Sequence, residues 1–311
     1  MLKLILKRVI QALLVMLCVT AISFLLIRLI PSDPVEVMAP YATDEQKHYL
    51  KVRFGLDKPV PEQLVIYLSN IVLRGDFGES YFQYAPVLSI IATTGSKSVI
   101  LLANTIGLSI ILSLSLGILA AQRPKGIFDN IVSGLCVVAQ SLPNYWLASM
   151  LILILGAKLR IFPVMGFRGY HHTILPSLIL CLPITAVLSK TVRFTMGKGF
   201  EMDFCKAAMA RGIPHRKIVF RYALMDALVP LLNTLGGQLG FFIGSMVVIE
   251  YVFSFPGLGW ETLLAVTRRD YSTLQGLIFI LTGFFIVLNL LIDIACSYFD
   301  PRLRHAQGGI Q

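Results

Sequence analysis

Six long apolar runs, separated by polar segments, dominate this chain. They cover residues 9–30, 98–121, 131–156, 174–194, 229–253 and 276–299. Each is long enough to cross the hydrocarbon core of a bilayer, which takes about 20 residues of helix. Since backbone groups in lipid must be satisfied within the segment, each run is predicted to be helical. The fourth run is the weakest because Pro176 and Pro183 fall within it. The pattern predicts an all-α integral membrane protein with six transmembrane helices.

Composition supports the bilayer as the solvent of this chain. Of its 311 residues, 56% are hydrophobic and only 14% are charged, whereas soluble domains carry roughly 25% charged residues. The net charge of +10 does not indicate nucleic-acid binding, because the basic residues form no tract with interleaved aromatic residues. The five cysteines show no metal-ligand or redox spacing. We therefore expect a lipid-embedded chain with no metal site, no disulfide framework and no nucleic-acid partner.

The distribution of Lys and Arg predicts the orientation of the helices. With a cytoplasmic N-terminus, the inside segments carry 15 Lys and Arg in 68 positions, and the outside segments carry 11 in 106. When Asp and Glu are counted as well, the net charge is +10 inside and +1 outside. Cytoplasmic loops carry the excess of basic residues in membrane proteins, so both termini are predicted to be cytoplasmic. The inside segments are 1–8, 122–130, 190–228 and 300–311, and the outside segments are 31–97, 157–173 and 254–275.

The spans divide the chain into four predicted parts. These are the cytoplasmic N-terminus with the first span (1–30), an outer insertion (31–97), a five-span core (98–299) and a cytoplasmic tail (300–311). The basic residues before the first run also resemble the start of a signal peptide. The run is longer than a signal h-region, however, and no small-residue cleavage site closes it, so we expect a retained span.

The outer insertion carries helix signals of its own. Thr43 and Gln46 fit a capping box, and Gly55 is the stop signal for the helix that follows. A second helix is predicted to open at Pro61 and to end near Gly75. The insertion is expected to cap the outer mouth, to contact a delivery protein, or to serve as a structural cover over the span tops.

The most basic inside loop, 190–228, contains a segment with helix start and stop signals. Asp203 is suited to cap a short helix, and Gly212 to end it in the left-handed conformation. Pro214 is suited to open a second short helix. Ala207 and Ala208 are adjacent small residues, which would let a partner surface approach the backbone. The segment predicts a compact helix–turn–helix along the membrane face that can transmit a push as a rigid lever.

This segment resembles the cytoplasmic coupling loop of permeases from binding-protein-dependent ABC importers, whose signature is E-A-A-x-x-x-G. Ala207, Ala208 and Gly212 match the signature, while Lys206 stands in place of the glutamate, as is common in the dipeptide, oligopeptide and nickel branch. This chain also resembles the B-type permease subunit of that branch over nearly its whole length. The matching stretches are the N-terminal Leu-Lys-Arg, Gly75-Asp76-Phe77-Gly78-x-Ser80, Ser141-Leu142-Pro143-Asn144-Tyr145-Trp146, Ile174-Leu175-Pro176, Ile249-Glu250-Tyr251-Val252-Phe253-Ser254-Phe255-Pro256-Gly257-Leu258-Gly259 and Asp300-Pro301-Arg302.

The resemblance implies a type I ABC importer fold in a bacterial inner membrane, with this chain and a second homologous permease subunit forming a heterodimer around one pathway. Two cytoplasmic ATPase subunits would receive the coupling helices and bind ATP and Mg. An external solute-binding protein would deliver peptides or nickel and other metal chelates. The residues assigned to ATPase coupling are Asp203, Lys206, Ala207, Ala208, Arg211, Gly212, Arg216 and Lys217.

The chain itself is expected to be non-catalytic and to hold no cofactor. A phosphate-cradling loop needs a leading glycine and then Gly-Lys-Ser/Thr. The nearest fragment, Thr94-Gly95-Ser96-Lys97-Ser98, lacks the leading glycine and the Gly-Lys pair. A membrane-embedded enzyme is not supported either, because no H-E-x-x-H or G-x-S-x-G pattern occurs.

Polar residues within the spans are candidates for the translocation path. They are Asn104, Gln140, Asn233, Gln238 and Glu250. Polar side chains also hold transmembrane helices together, so both roles stay open. For Glu250, a structural ion pair is a further interpretation. His171 and His172, in a short outer loop, are insufficient as a metal site and are expected to be solvated. The alternative function is a stand-alone secondary transporter or channel, which predicts inverted repeats and buried charges near the middle of the membrane.

Overall fold

The structure, a computed structural model, describes residues 2–29, 33, 35–36 and 39–299. The helices of this part are α1 (Leu2–Arg28), α2 (Asp44–Arg53), α3 (Val60–Arg74), α4 (Val87–Gln122), α5 (Ile127–Ser141), α6 (Asn144–Leu151), α7 (His171–Glu201), α8 (Asp203–Ala210), α9 (His215–Ile218), α10 (Leu224–Val252), α11 (Leu258–Thr267) and α12 (Tyr271–Phe299). A π-helical segment, Ile152–Lys158, continues α6, and another, Val219–Ala223, joins α9 to α10. The Asp300-Pro301-Arg302 stretch and the tail lie outside the described residues.

In the described part of the chain, five helical stretches are long and apolar enough to cross a membrane, and there are six if a bent pair is counted as one span. The five are Arg8–Arg28, Val87–Gln122, His171–Glu201, His215–Val252 and Tyr271–Phe299. The pair is Ile127–Ser141 with Asn144–Lys158. The predicted all-α membrane class is therefore confirmed.

The third predicted span is not one helix. The apolar run over 131–156 was expected to be continuous, but α5 and α6 meet at an angle of 98°. Leu142 is extended (φ −85°, ψ 129°) and Pro143 follows it without a backbone N–H. Because a proline ring pushes the preceding residue out of the helical region, the chain turns at this dipeptide.

The fourth span, expected to be the weakest, is instead the most enclosed helix of the set. Pro176 and Pro183 lie inside an unbroken α7, and 72% of its apolar window is buried, against at most 28% for the other four stretches. It packs against α10 and α5. Transmembrane helices tolerate proline where neighbouring helices and nearby polar side chains compensate the freed backbone groups, and α7 is surrounded in this way.

The chain divides into two compact units. One comprises Met1–Ser98 with Pro256–Ile286, and the other comprises Val99–Phe255 with Val287–Gln311. The first unit holds the outer insertion together with α11 and the first half of α12. Its core includes the buried side chains of Ile71, Phe77, Val87, Leu258 and Leu277.

The two helices expected in the outer insertion are present. Thr43 caps α2 by a complete capping box with Gln46. The helix α3 begins one residue before Pro61 and ends against Gly75, which adopts the left-handed conformation (φ 64°). Local sequence rules therefore describe this part of the insertion correctly.

The Gly75-Asp76-Phe77-Gly78-x-Ser80 stretch fixes the insertion to the segment that precedes α12. The Ser80 hydroxyl donates a hydrogen bond to the Asp270 carboxylate. Gly78 has a positive φ of 84°, and a Cβ there would lie 2.8 Å from the hydroxyl of Ser272. A glycine is required at this turn because both its backbone conformation and the close approach of Ser272 exclude a side chain.

Candidate functional site

The expected helix–turn–helix is formed by α8 and α9. The sequence predicted Asp203 as the cap of α8, but the N-cap is Met202, which makes no side-chain capping hydrogen bond. Asp203 is instead the first helical residue. Its carboxylate nevertheless lies in the first turn, where a negative charge interacts favourably with the helix dipole. The second helix begins at His215, directly after Pro214.

The turn between the two helices is rigid and closed by backbone hydrogen bonds. Gly212 adopts the left-handed conformation (φ 73°), as expected for a helix stop. Its N–H donates to the Met209 carbonyl at 2.9 Å, and the N–H of Ile213 donates to the Ala208 carbonyl at 3.2 Å. This pair of bonds is the Schellman motif, which a residue with a Cβ would strain.

The two alanines of the signature face opposite ways. Ala207 is exposed, but Ala208 is only 4% exposed and packs in a small core with Cys205 and Ile218. The small side chain of Ala208 therefore serves the packing of α8 on α9, and the assignment of both alanines to ATPase coupling stays a prediction. Burial raises the pKa of the Cys205 thiol, and the Asp226 carboxylate raises it further. This thiol therefore belongs to the core of the loop.

The other residues assigned to coupling are exposed. They are Asp203, Lys206, Arg211, Gly212, Arg216 and Lys217. Beside the turn lies a groove of about 870 Å³, which sequence reasoning missed. The groove is lined by three basic side chains, those of Arg216, Lys217 and Arg221. Its apolar lining residues are Pro214, Phe220 and Met225. A basic groove with apolar walls can accept an apolar side chain flanked by acidic residues.

A second concave surface lies at the bend between α5 and α6. It has a volume of about 500 Å³ and is lined by Ala139, Gln140, Ser141, Leu142, Pro143, Asn144, Tyr145, Pro183, Phe241, Gly244, Ser245 and Val248. None of these residues carries a charge. Asn144 donates a hydrogen bond to the Ser245 hydroxyl at 3.3 Å, so α6 and α10 are joined at the groove. The sequence signal for this surface was Pro143, which was quoted only as part of a family stretch.

The five path candidates lie in different surroundings. Gln140 is exposed and lines the groove at the bend. Asn104 donates to the Thr173 hydroxyl at 3.1 Å and accepts from the Tyr170 hydroxyl at 2.9 Å, which connects α4 to the start of α7. Asn233 is exposed and accepts a hydrogen bond from the Cys296 thiol at 3.3 Å. Gln238 is half-buried, and Glu250 is completely buried.

The placement of two adjacent histidines differs from expectation. His171 and His172 form the first turn of α7 and do not lie in a loop. The Thr94-Gly95-Ser96-Lys97-Ser98 fragment lies within α4, where a phosphate-cradling loop cannot form. Within the described residues, no group of three or more His, Cys, Asp or Glu side chains is arranged to hold a metal ion.

Two family profiles match the chain. The profile described as binding-protein-dependent transport system inner membrane component matches residues 113–305. The profile for the N-terminal part of such membrane components matches residues 1–114.

Individual relatives cover almost the whole chain. A probable peptide ABC transporter permease protein from Sinorhizobium fredii is 33% identical over 310 residues, 97% of this chain and 99% of the relative. A glutathione transport system permease protein from Pectobacterium atrosepticum is 31% identical, and a dipeptide transport system permease protein from Lactococcus lactis is 30% identical, each over 98% of this chain and 100% of the relative. The chain therefore belongs to the binding-protein-dependent transport system inner membrane components, the non-catalytic, membrane-spanning permease subunits of ABC importers whose ATPase is on separate chains.

Proposed function

We propose that this chain forms half of the translocation pathway of an importer for peptides. The observation that carries the proposal is the similarity, over nearly the full length of both chains, to permeases named for peptide, dipeptide and glutathione transport. These names favour the peptide class over the nickel and metal-chelate class. Membership in this family also favours a permease subunit over the alternative function, a stand-alone secondary transporter or channel.

Importers of this family combine a partner permease, ATPase subunits and a solute-binding protein. We propose a heterodimer of this chain with a second, homologous permease, two cytoplasmic ATPase subunits and one external binding protein. The chain would lie in the bacterial inner membrane with both termini in the cytoplasm. The excess of basic residues in the segments 1–8, 122–130, 190–228 and 300–311 supports this orientation.

The contact with the ATPase is proposed to be the exposed face of α8 with its turn and the adjoining basic groove. Ala207 on this face leaves room for a close approach, and Gly212 holds the turn in a fixed shape. Lys206, Arg211, Arg216 and Lys217 would supply charge complementarity and orientation. Because α8 and α9 share a buried core, a push on α8 moves both helices together.

Alternating access follows from this lever. ATP binding would draw the ATPase subunits together, and the movement of α8 and α9 would tilt the spanning helices until the pathway opens to the loaded binding protein. Hydrolysis would then reset the pathway. The free-energy difference between the two states has to come from ATP, since a ligand shifts an equilibrium only by its differential affinity for the two states.

The groove at the α5–α6 bend is proposed to be part of the solute path. Its polar side chains, including Gln140, Asn144 and Ser245, are neutral, and its other walls are largely apolar. Passage requires binding that is weak enough for release, and neutral hydrogen-bonding groups meet this requirement better than buried charges do. Asn104, Asn233, Gln238 and Glu250 stay in the proposal as path candidates outside this groove.

The experiment is purification of the tagged chain with its associated subunits, followed by reconstitution in proteoliposomes. We expect ATP-dependent uptake of a radiolabelled dipeptide or oligopeptide in the presence of the binding protein, and a peptide bound to that protein in mass spectrometry. A catalytically inactive ATPase subunit is the matched control. Uptake of a nickel chelate but of no peptide, or uptake without ATP, would contradict the proposal.

A further inference from the structure

The first unit contains a polar cavity of about 140 Å³. Its walls come from the end of α1, from α3, from the stretch that follows α3 and from the start of α12. Four buried side-chain atoms on these walls have no hydrogen-bond partner in the part of the chain that the structure describes: Nε of Arg28, Oε1 of Gln63, the hydroxyl of Tyr67 and Nε2 of Gln275. Buried polar atoms are paired in most proteins, so four unpaired atoms around one cavity point to a ligand.

The unpaired groups are held in place by their surroundings. Gln275 is only 7% exposed, so its amide has no access to bulk water. Gln63 donates through Nε2 to the backbone carbonyl of Lys58 at 2.7 Å. This bond fixes the orientation of the amide, and its Oε1 is the unpaired acceptor. Burial raises the pKa of Tyr67, so this phenol is protonated at neutral pH and can donate. The unpaired atoms of the cavity are therefore donor groups on Arg28, Tyr67 and Gln275 and an acceptor oxygen on Gln63.

Arg28 places a positive charge at the cavity. Its guanidinium lies over the ring of Phe24, 5.2 Å from the centroid. No carboxylate in the described part of the chain lies within ion-pair distance of it. Two acidic residues line the cavity, but both are already engaged. Asp76 accepts the N–H of Gly78 at 2.8 Å, and Glu79 pairs with Arg53.

We propose that this cavity binds a small oxyanion, a carboxylate or phosphate group, through Arg28, Tyr67 and Gln275. A guanidinium and two neutral donors match the acceptor-only chemistry of such a group, and the positive charge of Arg28 disfavours a cation as the ligand. The volume has room for roughly four water-sized groups, enough for a carboxylate or a phosphate but not for a peptide. The oxyanion comes either from a free anion or from a phospholipid headgroup, since the exposed Leu25 on α1 and Leu29 directly after it lie next to Arg28.

The first arm of the test uses the full chain in a phosphate-free glycosidic detergent. Sodium acetate and sodium phosphate are titrated against sodium chloride at matched ionic strength, and thermal unfolding is followed by intrinsic fluorescence. A ligand that binds only the native state raises the unfolding temperature in a saturable way. We expect such a rise of several degrees in the wild type and in the Arg74→Gln control, which removes an exposed charge of the same unit. The rise should be absent in Arg28→Gln.

Gln275→Leu separates binding from folding. It replaces a buried donor without a partner by an apolar group of similar size, so the variant should be at least as stable as the wild type in chloride. It should nevertheless lose the response to acetate and phosphate. A purely structural glutamine predicts the opposite pattern, with lower stability in chloride and an unchanged response to anions.

The second arm distinguishes the two sources. The same variants are placed in nanodiscs of phosphatidylglycerol or of a phosphate-free diglycosyl diacylglycerol. If the headgroup occupies the cavity, phosphatidylglycerol stabilises the wild type more than Arg28→Gln and abolishes the acetate effect. If a free anion occupies it, the acetate effect is the same in both lipids. An equal response of the wild type, Arg28→Gln and Gln275→Leu to anions and to both lipids would show that the cavity holds water only, and would overturn the proposal.

Discussion

Arg193 on α7 forms an ion pair with Asp129 in the first turn of α5. Its Nη2 lies 2.6 Å from Oδ2 of Asp129, and its Nε contacts Oδ1 of the same carboxylate. The backbone N–H of Lys125 also donates to this carboxylate at 2.8 Å. Asp129 is only 1% exposed, whereas the side chain of Arg193 is 37% exposed. The pair joins the first turn of α5 to the most enclosed helix of the chain.

The unequal burial of the two partners makes the pair asymmetric to mutation. Arg193→Gln leaves a buried carboxylate without its cation and should lower the free energy of unfolding by about 3 kcal/mol. Asp129→Asn removes the buried charge and leaves an arginine that solvent can reach, so it should cost less. Unfolding in mixed detergent micelles measures both. The double variant should cost less than the sum of the single variants, and strictly additive costs would show that the pair contributes nothing.

Ala207 and Ala208 should respond differently to the same substitution. Ala207→Glu places a bulky charge on an exposed face and should leave the chain folded, while ATP-driven uptake is lost. A disrupted interface position costs ~2 kcal/mol, roughly 30-fold in the affinity for the ATPase. Ala208→Glu buries a charge beside Cys205 and Ile218 and should unfold the loop itself.

Limited proteolysis of the loop and uptake by the reconstituted complex separate these two outcomes. Ala207→Ser is the matched control, since it keeps the side chain small and should transport normally. Full ATP-driven uptake by Ala207→Glu in an intact complex would rule out the proposed contact.

Features set within a few residues could be predicted from the sequence. The capping box of Thr43 and Gln46, the stops at Gly75 and Gly212 and the apolar runs depend on local backbone rules and side-chain transfer energies. The same rules predict the turn between α8 and α9.

Features set by long-range packing could not be predicted. The 98° bend lies within a run long enough to be one span, and its polar residues Gln140, Ser141 and Asn144 are also tolerated within continuous spans, so Pro143 is the local signal of the bend. Asp129 and Arg193 are 64 residues apart, and no local pattern links them. Whether Ala207 or Ala208 is buried depends on the position of α9, and the sequence pattern does not distinguish the two alanines.

The orientation can be tested by labelling single cysteines. His215→Cys, exposed at the start of α9, should react with a membrane-impermeant maleimide in inverted vesicles and not in intact spheroplasts. Tyr41→Cys, at a position that is 99% exposed in the outer insertion, should show the reverse. Both are compared in a background in which the exposed Cys18 is replaced by Ser. Labelling of position 215 from the outside would overturn the proposed topology.

Glu261 on α11 provides a pH-dependent prediction. It is 8% exposed and accepts a hydrogen bond from Nε2 of Gln83. Burial raises the pKa of Glu261, and Asp270 raises it further, while Arg268 and the hydrogen bond from Gln83 oppose the shift without cancelling it. The native state therefore binds this proton more tightly than the unfolded state does. The associated stability is fully present below the ordinary pKa of 4.5 and is lost as the pH rises through the native pKa.

Glu261→Gln should consequently raise the unfolding temperature at pH 7, because it removes the buried charge and keeps an acceptor for Gln83. The gain should shrink as the pH is lowered toward 4.5, where the wild-type carboxyl is itself protonated in the native state. Thermal unfolding of both proteins across this range measures the difference, and the exposed Glu45→Gln variant controls for the loss of one charge. A gain that is the same at pH 4.5 and pH 7 would show that the effect of the substitution does not come from the titration of Glu261.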